Sequence, residues 1–453
     1  MAQRRSAAAA FEYVAALAPG VKANCWSLAE SAGHEGWGRM QGLLGSYRWD
    51  WAELRAALPA LAVAWIPDLA GDLIGPGIAI DETAALKRGD ATACVAPQHA
   101  GCTGQVENCV TTVFCAYVTA QGQAWADFDV YMPGRWAGDL GRRQAARVPG
   151  DLEFATKPQL AMNQLGRLLA AGVPARWAAF DEVYGRSEKL RKKAAKAGLA
   201  YAAIIPRDYQ VTLPAGITIR ADEAVTEAVF ERRSCGKGAK GPRYSDWAMT
   251  ATAVPGQYLL IRRLISRPDQ FTFYLCWAPP GRPVTMTYFI TIAGRRWPAE
   301  ETFKTGKDVF GWDQSQARSW DGICRHTALA ALAQLRAAAI RSALGGSITL
   351  PAARQATRPA TGDTRISDAD LLIPLGDAPV PARGGQPCPP GITPIRLSIA
   401  ETARLASLAT QYTAGLITRL RLAFALRWSL RRRRHQATAR WHHYSTRLLA
   451  ASG

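Results

Sequence analysis

Hydrophobic positions along this chain change period several times, and each change marks an element. Between Cys25 and about Leu61, Trp26, Leu28, Met40, Leu43, Leu44, Leu54 and Leu58 recur three or four residues apart, broken by Gly33 and by Gly36 to Gly38. Two or three short helices are expected there. After Gly75-Pro76-Gly77, Ile78 to Ile80 reads as a short buried strand that ends in an acid, Asp81. Cys109 to Tyr117 and Ala124 to Tyr131 are β-branched and aromatic runs joined through Gln121-Gly122-Gln123, the pattern of a hairpin. Lys157 to Ala171 has helical spacing, and Arg176 to Phe180 reads as a second strand ending in an acid, Asp181. A basic helix, Ser187 to Ala197, and a strand, Tyr201 to Ile205, follow. This strand, helix, strand order predicts an α/β fold with parallel members in its sheet.

Beyond Pro206 the pattern turns to strands, Val211 to Ile219, Tyr258 to Leu264 and Phe271 to Trp277, around a Gly/Lys-rich loop, Gly236 to Arg243. A β-rich insertion over 206–287 is the expectation. Trp297 to Lys307 reads as a helix with Pro298 in its first turn, and Thr327 to Leu344 as an Ala/Leu helix. The predicted layout is an N-terminal helical region (1–75), an α/β core in two parts (76–205 and 288–344) split by the insertion, a Pro-rich linker (345–395) and a basic helical tail (396–453).

Composition narrows the class. The 453 residues are 48% hydrophobic and 20% charged, which excludes wholesale disorder. A formal charge of +19 points to a polyanionic partner. The final 58 residues hold 11 Arg against one acid, Glu401, so about half of that charge lies in the tail. Nine Cys without any C-x-x-C pair fit reduced thiols, and every apolar run meets a charge before 18 residues accumulate. The expectation is a cytoplasmic, nucleoid-associated protein with neither a membrane span nor a secretory signal.

The candidate chemistry lies in the acids. Asp81 and Asp181 end neighbouring strands, and Glu300 lies on the helix after Arg295-Arg296-Trp297. Three such carboxylates can converge on hard divalent cations, which take oxygen ligands and activate a water or 3′-hydroxyl for phosphoryl transfer. At roughly 100° per residue, Arg296, Glu300, Lys304 and Lys307 fall on one helical face. A charged helical face is ordinarily a solvated salt-bridge stripe, and a metal-binding Glu beside phosphate-binding cations needs the same layout. Glu82, Glu182 and Glu301 directly follow the three acids. Alternation on a strand turns Glu82 and Glu182 to the opposite face, in supporting roles, and Glu301 is the register alternative to Glu300.

The run Arg296-Trp297-Pro298-Ala299-Glu300-Glu301-Thr302-Phe303-Lys304-Thr305-Gly306-Lys307 resembles the R-x3-E-x6-K part of the signature of bacterial DDE transposases related to insertion-sequence family 4. More closely, the chain resembles insertion-sequence family 701. Ile80-Asp81-Glu82-Thr83 with Leu86-Lys87-Arg88-Gly89, and Glu153 to Pro158 followed by Asp181-Glu182-Val183-Tyr184-Gly185, match the blocks around that family's two Asp residues. Asp313-Gln314, Ser319-Trp320-Asp321-Gly322, Arg325-His326, the N-terminal Trp26 to Glu30 and the C-terminal Arg431 to Gln436 extend the match nearly end to end. The wider signature has Tyr where this chain has Ala293, and the Gly expected after Asp-Glu-Thr is Ala84.

The resemblance implies an RNase H-like mixed-sheet core and DNA transposition with Mg²⁺ or Mn²⁺. It implies Asp81, Asp181 and Glu300 as the catalytic and metal-binding triad, and Arg296, Lys304 and Lys307 on DNA phosphates. It also implies a homodimer on DNA and no nucleotide cofactor. Further DNA grip is expected from Lys237, Lys240 and Arg243 in the Gly-rich loop, and from Arg431, Arg432, Arg433 and Arg434 in the tail. Trp247, Trp277 and Trp297 fit either core packing or stacking on a displaced base. Two other functions stay open: an inactive or co-opted DNA-end-binding repressor, and a metal-dependent nuclease without strand transfer.

Overall fold

The computed structural model describes residues 4–68, 74–238, 241–344 and 394–451; the predicted linker lies almost wholly outside the described residues, as does Lys240. Four helices come first, α1 (Arg4–Ala16), α2 (Cys25–Ser31), α3 (Gly38–Leu44) and α4 (Trp51–Trp65). Strands β1 (Gly77–Leu86), β2 (Ala96–Ala100), β3 (Gln105–Val118) and β4 (Gln123–Val130) follow, then short helices α5 (Gly134–Ala137) and α6 (Leu140–Ala145) and the longer α7 (Lys157–Ala170). Next are β5 (Trp177–Phe180), α8 (Glu182–Gly185), α9 (Glu188–Lys196) and β6 (Ala200–Ile205). A small hairpin, β7 (Gln210–Thr212) with β8 (Thr218–Arg220), precedes β9 (Glu231–Gly238), β10 (Gly241–Ala251), β11 (Gln257–Leu264) and β12 (Arg267–Trp277). Helices α10 (Met286–Asp308), α11 (Trp320–Ala343), α12 (Ile399–Thr413) and α13 (Arg419–Ala451) complete the chain.

The architecture is mixed α/β, as expected. One large sheet runs in the order β2-β3-β1-β5-β6-β12-β11-β10-β9, with β4 also paired to β3. The β1, β5 and β6 strands are parallel, and all other pairs are antiparallel. The β-rich stretch expected as an insertion is continuous with this sheet. Residues Phe273 to Trp277 of β12 pair antiparallel with Tyr201 to Ile205 of β6, so β9 to β12 prolong the core sheet.

Period-two alternation divides the sheet between two cores. Ile78, Ile80, Ala178 and Phe180 face α7, α9, α11 and the N-terminal helices. Ala79, Trp177, Ala179 and Ala202 face α10, through Phe289, Ile290 and Ile292. Helix α11 is buried around nearly its whole circumference, which explains why its sequence is apolar on all sides.

Helix α10 begins eleven residues before the expected start, at the N-cap Thr285, whose side chain accepts from Tyr288 N–H. Pro298 is therefore interior, where it cannot donate to the carbonyl of Gly294. That carbonyl accepts from Arg243 Nη2 instead, at 3.1 Å. A neighbouring strand thus satisfies the acceptor that proline leaves open. Gly294 is needed for this contact, because a Cβ there would lie 1.9 Å from the Cys235 carbonyl oxygen.

Candidate active site

The site forms where the parallel strands stop. Ile80 pairs with Phe180 as the last register pair between β1 and β5, so Asp81 and Asp181 emerge side by side at adjacent carboxyl ends, the edge where open α/β sheets place ligands. Asp181 also caps α8, accepting from Tyr184 N–H at 3.2 Å. Gly185 lets α8 pack closely on β6; a Cβ on it would meet Ile204 oxygen at 1.9 Å.

Glu82 joins them. Asp81, Glu82 and Asp181 each bring one carboxylate oxygen to within 4.8 Å of the others. The alternation rule predicts Glu82 on the opposite face, but β1 has no partner on the β5 side beyond Ile80. Side chains from both faces can therefore reach around that open edge. Glu82 Oε1 accepts from Lys157 Nζ at 2.8 Å. Lys157 is placed by the reciprocal cap of α7, in which Thr156 and Gln159 satisfy each other's backbone N–H groups. The Tyr184 hydroxyl is buried against Glu82, and among the described residues neither it nor Glu82 Oε2 has another hydrogen-bond partner.

Electrostatics mark the cluster as short of positive charge. Burial, followed by the nearby Asp181 carboxylate, pushes Asp81 up to about 8, against the opposing pull of Arg296. Burial, followed by Glu82, pushes Asp181 up to about 6. Oxygen-only donors and crowded acids are what a hard divalent cation would correct. The residues present fit such an ion.

Glu300 is one side chain away from this cluster. Arg296 Nη1 donates to Asp81 Oδ2 at 3.1 Å, and its Nη2 donates to Glu300 Oε1. A single guanidinium thus bridges the first expected acid to the third. Glu301, the register alternative, lies outside the acid cluster, near Arg341, Arg243 and Lys304. Glu182 is exposed and pairs with Arg186.

The expected DNA contacts divide. Lys304 is exposed, and Lys307 is half-buried with Nζ 6.0 Å from the Trp312 ring. Arg243 lies over Trp297, 4.4 Å from the ring centroid. The Lys237 and Lys240 side chains lie outside the described residues. In the tail, Arg431 and Arg434 are exposed, and Arg432 pairs with Glu401 at 3.0 Å. Arg433, expected with its neighbours to grip DNA, instead turns inward: it is 5% exposed and donates to the Ile395 carbonyl. On a helix, four consecutive residues point in four directions, so one of them meets the core. Trp247 is buried and Trp277 stacks on Tyr201. Lys157 and Arg262 were not anticipated from the sequence; Thr-x-x-Gln before an apolar helix is the one signal that could have located Lys157.

No described helix is long and apolar enough to cross a membrane. No curated protein matches the chain at a significant level. A family profile described as DDE superfamily endonuclease matches residues 1–256, which contain Asp81, Glu82 and Asp181 but not Glu300. With more than half of its length matched and its acids gathered at the end of a mixed sheet, the chain belongs to the DDE superfamily endonucleases.

Proposed function

We propose that this endonuclease is a transposase, which cuts the ends of a DNA element and joins the freed 3′-hydroxyls to a target. The observation that carries the reading is the convergence of Asp81 and Asp181 at adjacent strand ends, with Arg296 linking that pair to Glu300. Asp81, Asp181 and Glu300 are the catalytic carboxylates in this reading. Glu82 is a fourth oxygen donor, favoured by its place in the cluster. These residues would hold Mg²⁺ or Mn²⁺, which when bound supplies an acidified water or hydroxyl nucleophile and stabilises the leaving oxygen.

The chain's own groups prepare that chemistry. Glu82 N–H fixes Asp81 Oδ1 at 2.8 Å and Tyr184 N–H fixes Asp181, so the carboxylates are oriented before DNA arrives. Lys157 neutralises one face of Glu82. Arg296 holds its fork between Asp81 and Glu300, where the same guanidinium would suit a phosphate bound beside them. Lys304, exposed on the same helix, adds positive charge beside the site, and Lys307, Arg243, Lys237 and Lys240 are assigned to DNA phosphates in the same reading. Arg431, Arg432 and Arg434 on α13 add backbone grip. A homodimer bridging two DNA ends belongs to the same reading.

The test uses DNA carrying the borders of the gene, with a supercoiled target and Mg²⁺. Joined products are expected. Nicked ends without joining would support the simpler nuclease, and binding without cutting would support an end-occupying repressor.

A further inference from the structure

The last described helix carries rings that phosphate contacts leave unexplained. Helix α13 holds no Asp or Glu, and Ala425, Ser429, Arg433 and Ala437 form its buried side. Ala425 packs with Leu397 and Leu405, which seats the helix against α12. At roughly 100° per residue, Leu420, Phe424, Trp428, Arg431 and His435 share the opposite side. All five are exposed, Phe424 at 67% and Trp428 at 44%. The Phe424 and Trp428 rings lie parallel within 8°, their centroids 6.2 Å apart. The Arg431 guanidinium stands 5.5 Å from the centre of the Trp428 ring. A helix that gripped only phosphates would need the cations and not the rings, which are apolar surface left in water.

We propose that this face of α13 stacks unpaired bases of DNA, with Phe424 and Trp428 as platforms and Arg431 on the adjoining phosphate. Flat exposed rings beside guanidinium groups are what unpaired bases stack on, and every base offers a face to them. In a duplex those faces are covered by neighbouring pairs, roughly 3.4 Å away along each strand. The ring separation is nearly twice that rise, which suits a strand drawn out until successive bases part. A second copy of the chain fits this face less well, because two such faces set cations against cations with no acid between them. The inference rests on the strand-cutting reading above and names the form of DNA that the tail holds, a strand freed from its partner.

The experiment measures binding in EDTA, by fluorescence anisotropy, of three probes of equal length: oligothymidylate, a blunt duplex, and an abasic strand that keeps the phosphates without the bases. Phe424→Ala and Trp428→Ala should each weaken oligothymidylate binding about 10-fold and leave the other two probes within about two-fold. Trp428→Phe should keep most of the affinity, and thermal melts of all three variants should match the parent's, since both side chains are exposed. Oligothymidylate should also quench the tryptophan emission of the parent more than that of Trp428→Ala. Equal losses on all three probes, or no loss on oligothymidylate, would overturn the proposal. So would variants that change only from dimer to monomer in sedimentation, which would make the face a protein interface. Nicking of border DNA in Mg²⁺ by the same parent preparation separates the two readings. Nicking by a parent whose rings do not matter for oligothymidylate rejects only the role of this face; no nicking rejects the strand-cutting reading.

Discussion

The two halves of the central sheet carry opposite charge toward the same helix. Around β1 and β5 the sheet edge presents Asp81, Glu82 and Asp181, crowded until two of them resist ionisation. Around β10 to β12 it presents Arg243 and Arg262 with unpartnered donors. Helix α10 spans both, and Arg296 touches each half. The contrast is one of charge: one half crowds carboxylates at strand ends, while the other gathers guanidinium groups against the same helix. Each half can therefore be broken without the other.

The largest effect belongs to the acid half. Asp81→Asn should lower DNA cutting by on the order of 10³-fold or more, with affinity for DNA changed only a few-fold, as measured by gel-shift titration. If affinity collapsed with activity, Asp81 would be acting through folding. Arg296→Gln should come next, lowering cutting roughly 10–100-fold, because the group that ties Asp81 to Glu300 is lost. Arg296→Lys should restore little of it, since one ammonium cannot span both carboxylates as the fork does.

A smaller effect concerns stability. Asp81 and Asp181 are held above the usual carboxylate range, so the folded chain binds more protons than the unfolded one between about pH 4 and pH 8. Stability from these groups is fully present below pH 4 and is lost as pH rises through 6 toward 8. Asp81→Asn, which cannot ionise, should then be more stable than its parent at pH 8 by about 1–3 kcal/mol, and the gap should close near pH 4. Thermal melts across that range test this. Mn²⁺ at pH 8 should raise the parent's melting temperature more than the variant's.

The smallest effect separates the tail arginines. Arg431→Gln or Arg434→Gln should reduce the slope of log affinity against log salt by about one each. Arg433→Gln should leave the slope unchanged and destabilise the protein by about 1–3 kcal/mol, because Arg433 serves the Ile395 carbonyl. Equal slopes for all three would show that the buried position does not persist in solution.

Much of the acid half could be read from the sequence. Short apolar runs ending in Asp81 and Asp181 locate two strand ends, and parallel pairing then places them together. The role of Glu82 was hidden because period-two alternation assumes neighbours on both sides, and β1 loses one at Ile80. The start of α10 was hidden because Pro298 mimics a first turn unless the Arg243 contact that rescues the Gly294 carbonyl is known. The arginine-lined half was less visible still. Trp247, Arg262 and Tyr274 come together through strand register, which no local pattern specifies.

The central claim, that Asp81 and Asp181 form a metal-dependent cutting centre, is tested most directly by one comparison. The parent and Asp181→Ala are incubated side by side with border-containing supercoiled DNA, with Mg²⁺ or with EDTA. Nicks with a free 3′-hydroxyl in the parent with Mg²⁺ alone, and intact DNA bound by the variant, are the predicted result. Equal cutting by Asp181→Ala, or cutting by the parent in EDTA, would contradict it.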